Sequence, residues 1–520
     1  MEFNFESPKA MKKIRPLVVL GLILFLIAVS LEFAPSQKHA VLASAVILFS
    51  VLPAVLYFRA GSRSAIPFFE SSCIYYAVFF GAPVFSAGLF WSDQQLHLLG
   101  RLDTVLFYQY AFNGLDAAFS LEALIYTFLS IGAYIATFYS FRYLLYRFFP
   151  NAGDKGSKFE KEQLISMAWG ALALHFAYHF IPFFQTLPSI KQLLHPMGFL
   201  GLGLFIYLAM TRKISLYQSI IVLGILYPLV LLKILSHGSL SQILFYLVIV
   251  FLALFYVRRK IPWKILIIAG VFILVGYDTV FMFRGMTWTT LSHIQNDDSP
   301  IYSHYNVAQK AGLFWAIILK RITGYSPVDI PEVSINIPKN KTGDPNKRRW
   351  RHRFAHITLL SGTMEQTPAN FPYWKGDSYR PLVGALVPRF FWPDKPKENF
   401  AGTYGVRYWG THQSTSVNIP WLVELYGNFG RLGMIFGMIF FGAAFAFFDR
   451  VLNTRNGAPA KAMIGVVILF PWVYPESNFS VMVGTTPLLL LCLFSYVFLV
   501  KKSVNILATR YNKSRVVDHI

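Results

Sequence analysis

Long apolar runs recur along the whole chain, separated by short polar or basic connections. A run of about 20 apolar residues is the length at which a helix crosses the hydrocarbon layer of a membrane. Twelve runs meet or approach this length, near residues 16–33, 38–58, 68–91, 121–146, 163–184, 198–211, 214–233, 240–257, 261–281, 421–448, 461–475 and 483–500. The pattern predicts an all-α polytopic integral membrane protein with about twelve transmembrane helices.

Basic residues occur in every second connection between these runs. Lysine and arginine are retained on the cytoplasmic side of a membrane, so their alternation indicates which connections lie inside. They precede the first run and follow each even-numbered one, for example at Lys12, Lys13, Arg15, Arg59, Arg63, Arg142, Arg147, Arg212, Lys213, Arg258, Arg259, Arg450, Arg455, Lys501 and Lys502. The alternation places both termini in the cytoplasm and the odd-numbered connections outside.

The longest external connection divides the chain into three parts. Residues 1–281 carry nine predicted helices and an external loop near 92–120, residues 282–420 form a large external loop, and residues 421–520 carry three helices and a cytoplasmic tail. The large loop contains an amphipathic segment near 306–321, which is typical of a helix that lies in the membrane interface.

Composition excludes a soluble protein, because 55% of the residues are hydrophobic and only 14% are charged. The net charge of +22 would suggest a nucleic-acid partner in a soluble protein. In a polytopic protein, retention of basic residues in the cytoplasm explains it first, so no nucleic-acid partner is predicted. Both cysteines fall inside predicted spans, and a disulfide framework is not indicated.

The large loop has more basic than acidic residues, which indicates an anionic partner. Its isolated cations lie among proline and aromatic residues, at Arg284, Arg380, Arg389, Lys395 and Arg407. The stretch 386–396 (LVPRFFWPDKP) shows the pattern best, since its prolines fix φ and favour a stiff, extended strap. An arginine in such a strap offers a planar fork that matches phosphate or carboxylate oxygens.

Aromatic residues crowd the same part of the loop, at Trp374, Tyr379, Trp392, Tyr404, Tyr408, Trp409 and Trp421. Flat rings pack on the C–H faces of sugars, and they also anchor proteins at membrane interfaces. Both readings stay open for each ring. Cations interleaved with aromatic rings are what recognition of a diphosphate-linked glycan requires.

Ionisable residues inside predicted spans gather near the outer ends, at Glu32, Glu122, His179, Lys233, Asp278, Glu424 and Glu476. They either reach water by snorkelling or line a wet cavity that opens outward. His175 and His179 share one helix face and could chelate a metal ion, but no third ligand stands at useful spacing. Histidines packed in the bundle are therefore favoured, and no metal site is predicted.

Two segments resemble elements of the Wzy-type O-antigen and exopolysaccharide repeat-unit polymerases. Segment 373–396 (YWKGDSYRPLVGALVPRFFWPDKP) contains a Pro-Arg-x-x-Trp-Pro-x-Lys-Pro element typical of the large periplasmic loop of that family. Segment 423–433 (VELYGNFGRLG) matches its acidic-aromatic-x-Asn-Phe-Gly-x-x-Gly element at the start of the next span. The matching residues are Pro388, Arg389, Trp392, Pro393, Lys395 and Pro396, then Glu424, Asn428, Phe429, Gly430 and Gly433. His237 stands where relatives often have arginine.

The resemblance implies a membrane glycosyltransferase of the bacterial inner membrane whose large loop is periplasmic. A glycan on polyprenyl diphosphate would be the donor and a lipid-linked repeat unit the acceptor, without a cofactor. Membrane lipids, a chain-length regulator and a flippase are the other expected partners. Arg284, Arg389 and Lys395 would hold the diphosphate, with Arg380 and Arg407 as further candidates. Asp377, His412 and Glu424 are the acceptor-side candidates, and Trp374, Tyr379, Trp392 and Tyr408 would contact sugar or lipid.

Rival functions fit parts of the same pattern. An O-antigen ligase uses the same donor with a lipid A core as acceptor, and it also has a large periplasmic loop. A lipid-linked oligosaccharide flippase or other transporter would place cations along a path through the membrane. Here the cations collect in one external loop. A non-catalytic assembly subunit is a third alternative.

Overall fold

The structure of the 520-residue chain, a computed structural model, is mostly helical in the residues that it describes. These are residues 20–21, 23–24, 26–28, 31–60, 64–87, 119–149, 159–187, 190–235, 240–261, 267, 270, 283, 306–324, 355–387, 391–392, 394–395, 399–409, 417–454 and 457–517. Within these ranges no strand is present, and strand-like pairing is limited to one bridge between Ser64 and Thr454.

Thirteen helices of nine or more residues are found in this part of the chain. In chain order they are α1 (Gln37–Ala60), α2 (Phe68–Tyr76), α3 (Leu121–Phe148), α4 (Lys161–Phe180), α5 (Ile190–Met210), α6 (Tyr227–Leu235), α7 (Leu240–Arg258), α8 (Val307–Thr323), α9 (His356–Gln366), α10 (Phe400–Trp409), α11 (Trp421–Leu452), α12 (Pro459–Val473) and α13 (Thr486–Val517). Shorter helical pieces include Asp377–Tyr379, Pro381–Ala385 and Phe479–Val483.

Seven helices of the described residues are long and apolar enough to cross a membrane. They are Gln37–Arg59, Phe68–Ser86, Leu121–Phe148, Gln192–Met210, Leu216–Ile234, Trp421–Leu452 and Phe479–Thr509. A multi-pass membrane protein is thus supported by length and composition, while the count of twelve and the side of the large loop stay predictions. The predicted ninth span, near 261–281, falls largely outside the described residues, and the predicted first span, near 16–33, is described only in part.

The chain divides into two compact units. Unit 1 comprises Met1–Lys158 and Arg351–Phe494, and unit 2 comprises Phe159–Trp350 and Ser495–Ile520. The predicted division at residues 281 and 420 concerns the sides of a membrane, a different property, and stays a prediction.

In unit 1, α11 is not one straight helix but a tight helical hairpin. Its backbone leaves the helical region at Gly430, where φ is 69° and ψ is −157°. The rings of Trp421 and Phe441 lie 4.6 Å apart, although a straight helix would separate them by about 30 Å. The hairpin therefore has a buried arm (residues 421–429) and a long arm (residues 431–452). The predicted tenth span, near 421–448, thus contains the buried arm as well as most of the long arm, whose 22 residues alone have the length of a membrane crossing.

The long arm packs parallel to α3. Glu122 at the start of α3 pairs with Arg431 at the start of the long arm, and Arg142 near the end of α3 lies 3.6 Å from Asp449. A side chain at Gly442 would lie 2.7 Å from the carbonyl oxygen of Tyr134, so the glycine allows the two backbones to approach closely. The two ion pairs are 20 residues apart on α3, about 30 Å, the thickness of a hydrocarbon layer.

A buried polar cluster ties α11 to the start of α2. Asp449 accepts hydrogen bonds from Ser64 Oγ at 2.7 Å and from Asn453 Nδ2 at 2.6 Å, and Arg142 donates to Ser64 Oγ at 2.7 Å. Asn453 also pairs with the backbone of Ile66 in both directions, at 3.0 and 2.6 Å. Buried polar groups are costly unless paired, so the cluster specifies how these segments meet.

Part of the predicted external loop packs into unit 1. The ring of His356, the first residue of α9, is 2.7 Å from the hydroxyl of Tyr75 and stacks on Phe79 at 4.6 Å. Ser361 Oγ accepts a hydrogen bond from the backbone N–H of Ser120 at 3.1 Å. Eight of the eleven residues of α9 are buried. This region of the loop is therefore a structured layer of the unit and not a solvated connection.

In unit 2, α4 and α5 pack closely against each other. A side chain at Gly201 of α5 would lie 3.3 Å from the backbone nitrogen of Leu172 of α4, so close approach requires the glycine. The predicted amphipathic segment is confirmed as a helix, α8, which Asn306 caps by accepting a hydrogen bond from Gln309 N at 2.9 Å. Its position in a membrane interface stays a prediction.

Candidate functional site

The buried arm of α11 lies at the centre of the two sequence elements that carry the resemblance. Every residue from Trp421 to Asn428 is buried, and Phe429 at its tip is exposed. Its backbone is engaged by segment 373–376, because Trp374 N donates to Gly427 O at 2.8 Å. A side chain at Gly427 would collide with the Trp374 ring, so glycine is needed for this contact.

Glu424, a predicted acceptor-side residue, is fully buried and accepts two hydrogen bonds. Ser378 Oγ donates to Oε1 at 2.6 Å, and the backbone N–H of Phe479 donates to Oε2 at 2.6 Å. Each carboxylate oxygen thus has a donor, which is the arrangement that offsets the cost of burying a charge. Glu424 joins the buried arm to segments 377–379 and 478–480, so its geometry suits positioning better than contact with a substrate.

Asn428, one turn after Glu424, completes the same network. Its Nδ2 donates to Ser378 Oγ at 2.8 Å and to Glu424 O at 2.8 Å, while its Oδ1 accepts from Gly376 N at 2.8 Å. Ser480 Oγ donates to Ser378 O at 3.1 Å. Ser378 therefore connects all the polar residues of this network.

The predicted sugar-contacting residues Trp374 and Tyr408 are both buried and form a hydrogen bond with each other. Trp374 Nε1 donates to the Tyr408 hydroxyl at 2.9 Å, and that hydroxyl lies 2.6 Å from Thr367 Oγ1. Tyr426 of the buried arm donates to Thr367 O at 2.8 Å. These rings support the buried arm from a second side, and in this structure they offer little surface to a sugar.

Asp377 and Arg380 lie on the surface directly beside buried Ser378. Arg380 Nη2 is 3.0 Å from Asp377 Oδ1, and the side chains are 82% and 52% exposed. Of the acceptor-side and diphosphate candidates that the structure describes, these two form an ion pair with each other. Such a pair places a carboxylate and a guanidinium within reach of the same bound molecule.

Tyr379 follows next on the same short helix, and its ring stacks on Phe429 at 6.1 Å. Burial raises the pKa of its phenol, and the carboxylate of Glu424 raises it further. The phenol therefore stays protonated at any physiological pH. Among the described residues, its buried hydroxyl has no hydrogen-bond partner. A buried polar group in that condition costs about 1–3 kcal/mol, which a bound water or ligand would relieve.

The remaining predicted cations that the structure describes, Lys395 and Arg407, make separate contacts. Lys395 donates to Val387 O at 3.1 Å, and Arg407 lies over the Phe371 ring at 5.8 Å. Trp392 is exposed. Arg284, Arg389 and His412 lie outside the described residues.

Several residues that shape this region carry no sequence signal of a chemical role. Ser378 is a single serine beside Asp377, and Thr367 lies just outside the first resembling segment, six positions before it. Arg431 belongs to the second resembling segment, yet its partner Glu122 is on α3. Only their contacts in three dimensions reveal them.

Comparison with known proteins places one family description on this region. Residues 332–471 match a family described as a domain of unknown function, DUF8712, which covers less than a third of the chain. The match includes the ion pair of Asp377 and Arg380 and the whole α11 hairpin. No curated protein and no solved structure matches the chain.

Proposed function

We propose that this protein is a glycosyltransferase that polymerises polyprenyl-diphosphate-linked oligosaccharide repeat units. One observation carries the proposal. The two segments that resemble repeat-unit polymerases form one hydrogen-bonded structure, joined by Ser378 to Glu424 and by Trp374 to Gly427. Segments that share a function are expected to meet in space, and the bonds of Ser378 to Glu424, 46 positions further along the chain, and to Asn428 unite these two.

In the proposed reaction an acceptor hydroxyl oxygen bonds to the anomeric carbon of the donor glycan. The bond from that carbon to the diphosphate oxygen breaks, and the electron pair leaves with the polyprenyl diphosphate. The hydroxyl proton passes to a carboxylate, for which exposed Asp377 is our candidate base. Arg380, with Arg389 and Lys395 of the strap, would stabilise the charge that develops on the departing diphosphate.

Glu424 takes a different role in this proposal from Asp377. Its two oxygens are occupied by Ser378 and by the backbone of Phe479, so it would hold the short helix 377–379 in register. The acceptor-side role then falls to Asp377, with His412 as the other candidate. A fixed network beneath a charged surface pair lowers the ordering cost of binding.

The proposed location is the bacterial inner membrane, with both termini in the cytoplasm and the large loop periplasmic. The parallel direction of α3 and the long arm is consistent with this layout, since each would follow an external loop. Membrane lipids, the lipid-linked glycans, a chain-length regulator and a flippase are the proposed partners.

The test is elongation by purified protein. Full-length protein in detergent is incubated with undecaprenyl-diphosphate-linked oligosaccharide. The oligosaccharide is extracted from cells that lack this protein, and the products are separated by length on gels. We expect a ladder of longer glycans and release of undecaprenyl diphosphate. Arg389→Ala should lower the rate about 10²–10³-fold, the usual cost of removing one group that stabilises transition-state charge.

The matched control is Lys502→Ala, which removes an exposed cation on α13, far along the chain from both resembling segments. It should elongate at the rate of the unaltered protein. Absence of a ladder, or an Arg389→Ala variant as active as the control, would contradict the proposal. Transfer to an added lipid A core without elongation would identify a ligase instead.

A further inference from the structure

Three histidines of unit 2 converge at one point between α4 and α5. His175 and His179 lie on α4, His195 lies on α5, and a ring nitrogen of each is within 4.8 Å of those of the other two. The sequence itself shows no third ligand at useful spacing from His175 and His179. His195 supplies it, because the packing of α4 against α5 brings a distant position to the pair.

The ring positions fit a single bound metal ion. The centres of the His175, His179 and His195 rings are 4.5, 5.5 and 5.7 Å apart. Imidazoles that bind one tetrahedral ion at about 2.1 Å have ring centres roughly 5 Å apart. Small rotations of the rings would therefore suffice to direct three nitrogens at one ion.

The surroundings of His175 have the features of a supported ligand. Its Nε2 is 2.6 Å from the hydroxyl of Tyr246, which leaves Nδ1 as the nitrogen available to an ion. Histidine ligands usually use their second nitrogen in this manner, which fixes the tautomer and the ring orientation. A side chain at Gly198 would lie 2.5 Å from Nδ1, so the glycine makes room for the ring.

A described charge, Lys233, lies beside the cluster and bears on which fourth ligand would complete the site. Lys233 donates a hydrogen bond to the backbone oxygen of His179, and no described carboxylate belongs to the cluster. Three neutral imidazoles leave the full charge of a divalent ion unbalanced. A water-derived hydroxide or another small anion would then suit the fourth position, which Lys233 also favours.

We propose that His175, His179 and His195 bind one first-row divalent metal ion, with Zn²⁺ the best match. Three imidazoles with one open position are a known zinc ligand set, and imidazole also suits copper, nickel and cobalt. This site is independent of the proposed glycan chemistry, which involves unit 1 residues only.

The test measures metal binding by full-length protein purified without a polyhistidine tag. The protein is stripped with a chelator, returned to Zn²⁺ or Co²⁺, and assayed for bound metal by elemental analysis and for the visible absorption of bound Co²⁺. One ion per chain is expected, with a higher thermal midpoint than that of the stripped protein. His195→Gln should lose both the bound metal and the visible absorption of bound Co²⁺.

His39→Gln is the matched control, since it also changes a buried histidine but lies outside the cluster. It should keep one ion per chain. Tyr246→Phe retains all three ligands and should weaken Zn²⁺ binding about 10–100-fold, so the proposal remains testable if His195→Gln does not fold. Equal metal content in His195→Gln and His39→Gln, or unchanged affinity in Tyr246→Phe, would overturn it.

Discussion

Trp421 and Phe441 are 20 positions apart in one apolar stretch, yet their rings lie 4.6 Å from each other. The chain reverses between them at Gly430, and Leu425 of the buried arm fills the space left open at Gly437 of the long arm. The reversal brings Glu424 and Asn428 into the interior, where segment 373–380 packs on them. The candidate site of unit 1 therefore depends on a turn of one residue.

Gly430→Ala should destabilise the protein. The backbone there has φ of 69° and ψ of −157°, a region that is essentially restricted to glycine. Holding alanine in it costs about 1–3 kcal/mol, and the new methyl group would lie 3.0 Å from the Tyr373 hydroxyl. The measurement is the thermal midpoint in detergent.

Gly132→Ala is the control for this variant. Gly132 lies inside α3, where alanine favours helix, and its new methyl group would have only an ordinary contact with Phe49 at 3.5 Å. Its thermal midpoint should equal or exceed that of the unaltered protein. A thermal midpoint for Gly430→Ala equal to that of the unaltered protein would contradict the hairpin.

Ser378→Ala and Glu424→Gln should be coupled. Ser378→Ala removes the bond of 2.6 Å and leaves Oε1 of Glu424 without this donor. Glu424→Gln keeps one acceptor oxygen and replaces the other with an amide NH2 group, so either Ser378 Oγ or the backbone N–H of Phe479 loses its acceptor. A buried polar group left unpaired costs about 1–3 kcal/mol. Once one of the two residues has been changed, changing the other lowers the free energy of unfolding by less. A double-mutant cycle on the free energy of unfolding should give a coupling of about 0.5–3 kcal/mol, and additive effects would show that the two residues do not interact.

Much of the helix layout could be predicted from hydropathy because apolar length is a local property. The predicted runs 38–58 and 121–146 correspond to α1 and α3 within two residues at each end. The start of α11 could not be predicted in this manner. Residues 421–448 read as one continuous apolar helix, and a single glycine inside such a run gives no sign of whether φ is positive.

The candidate sites were predictable only in part, because they depend on contacts between residues that are remote in sequence. Asp377 and Glu424 stand out as acidic residues in an aromatic loop and at the end of a span. Their different environments, one exposed and one buried, depend on Ser378 and Phe479, which are remote in sequence from Glu424. His195 likewise gains meaning only because α5 packs beside α4.

Asp449→Leu should be among the most destabilising single changes in unit 1. It leaves Arg142, which is also buried, without its carboxylate, and an uncompensated buried charge costs about 3–5 kcal/mol. Replacing both residues, as Arg142→Met with Asp449→Leu, should cost less than the sum of the two single changes. The measurement is thermal unfolding in detergent of the two single variants and the double variant. A destabilisation of the double variant equal to the sum of the two single ones would contradict the pairing.

Asp377→Asn and Arg380→Ala should separate activity from stability. The pair is exposed, and exposed ion pairs contribute little to folding, so the thermal midpoint of each variant should stay close to that of the unaltered protein. Elongation of undecaprenyl-diphosphate-linked repeats should fall about 10²-fold or more in each, since one loses the candidate base and the other a cation beside the leaving group. Glu424→Gln should show the opposite pattern. Its thermal midpoint should fall clearly, while the elongation rate per folded molecule should fall less than in Asp377→Asn. If Asp377→Asn elongates at the normal rate, Asp377 is not the base, and His412 becomes the residue to test.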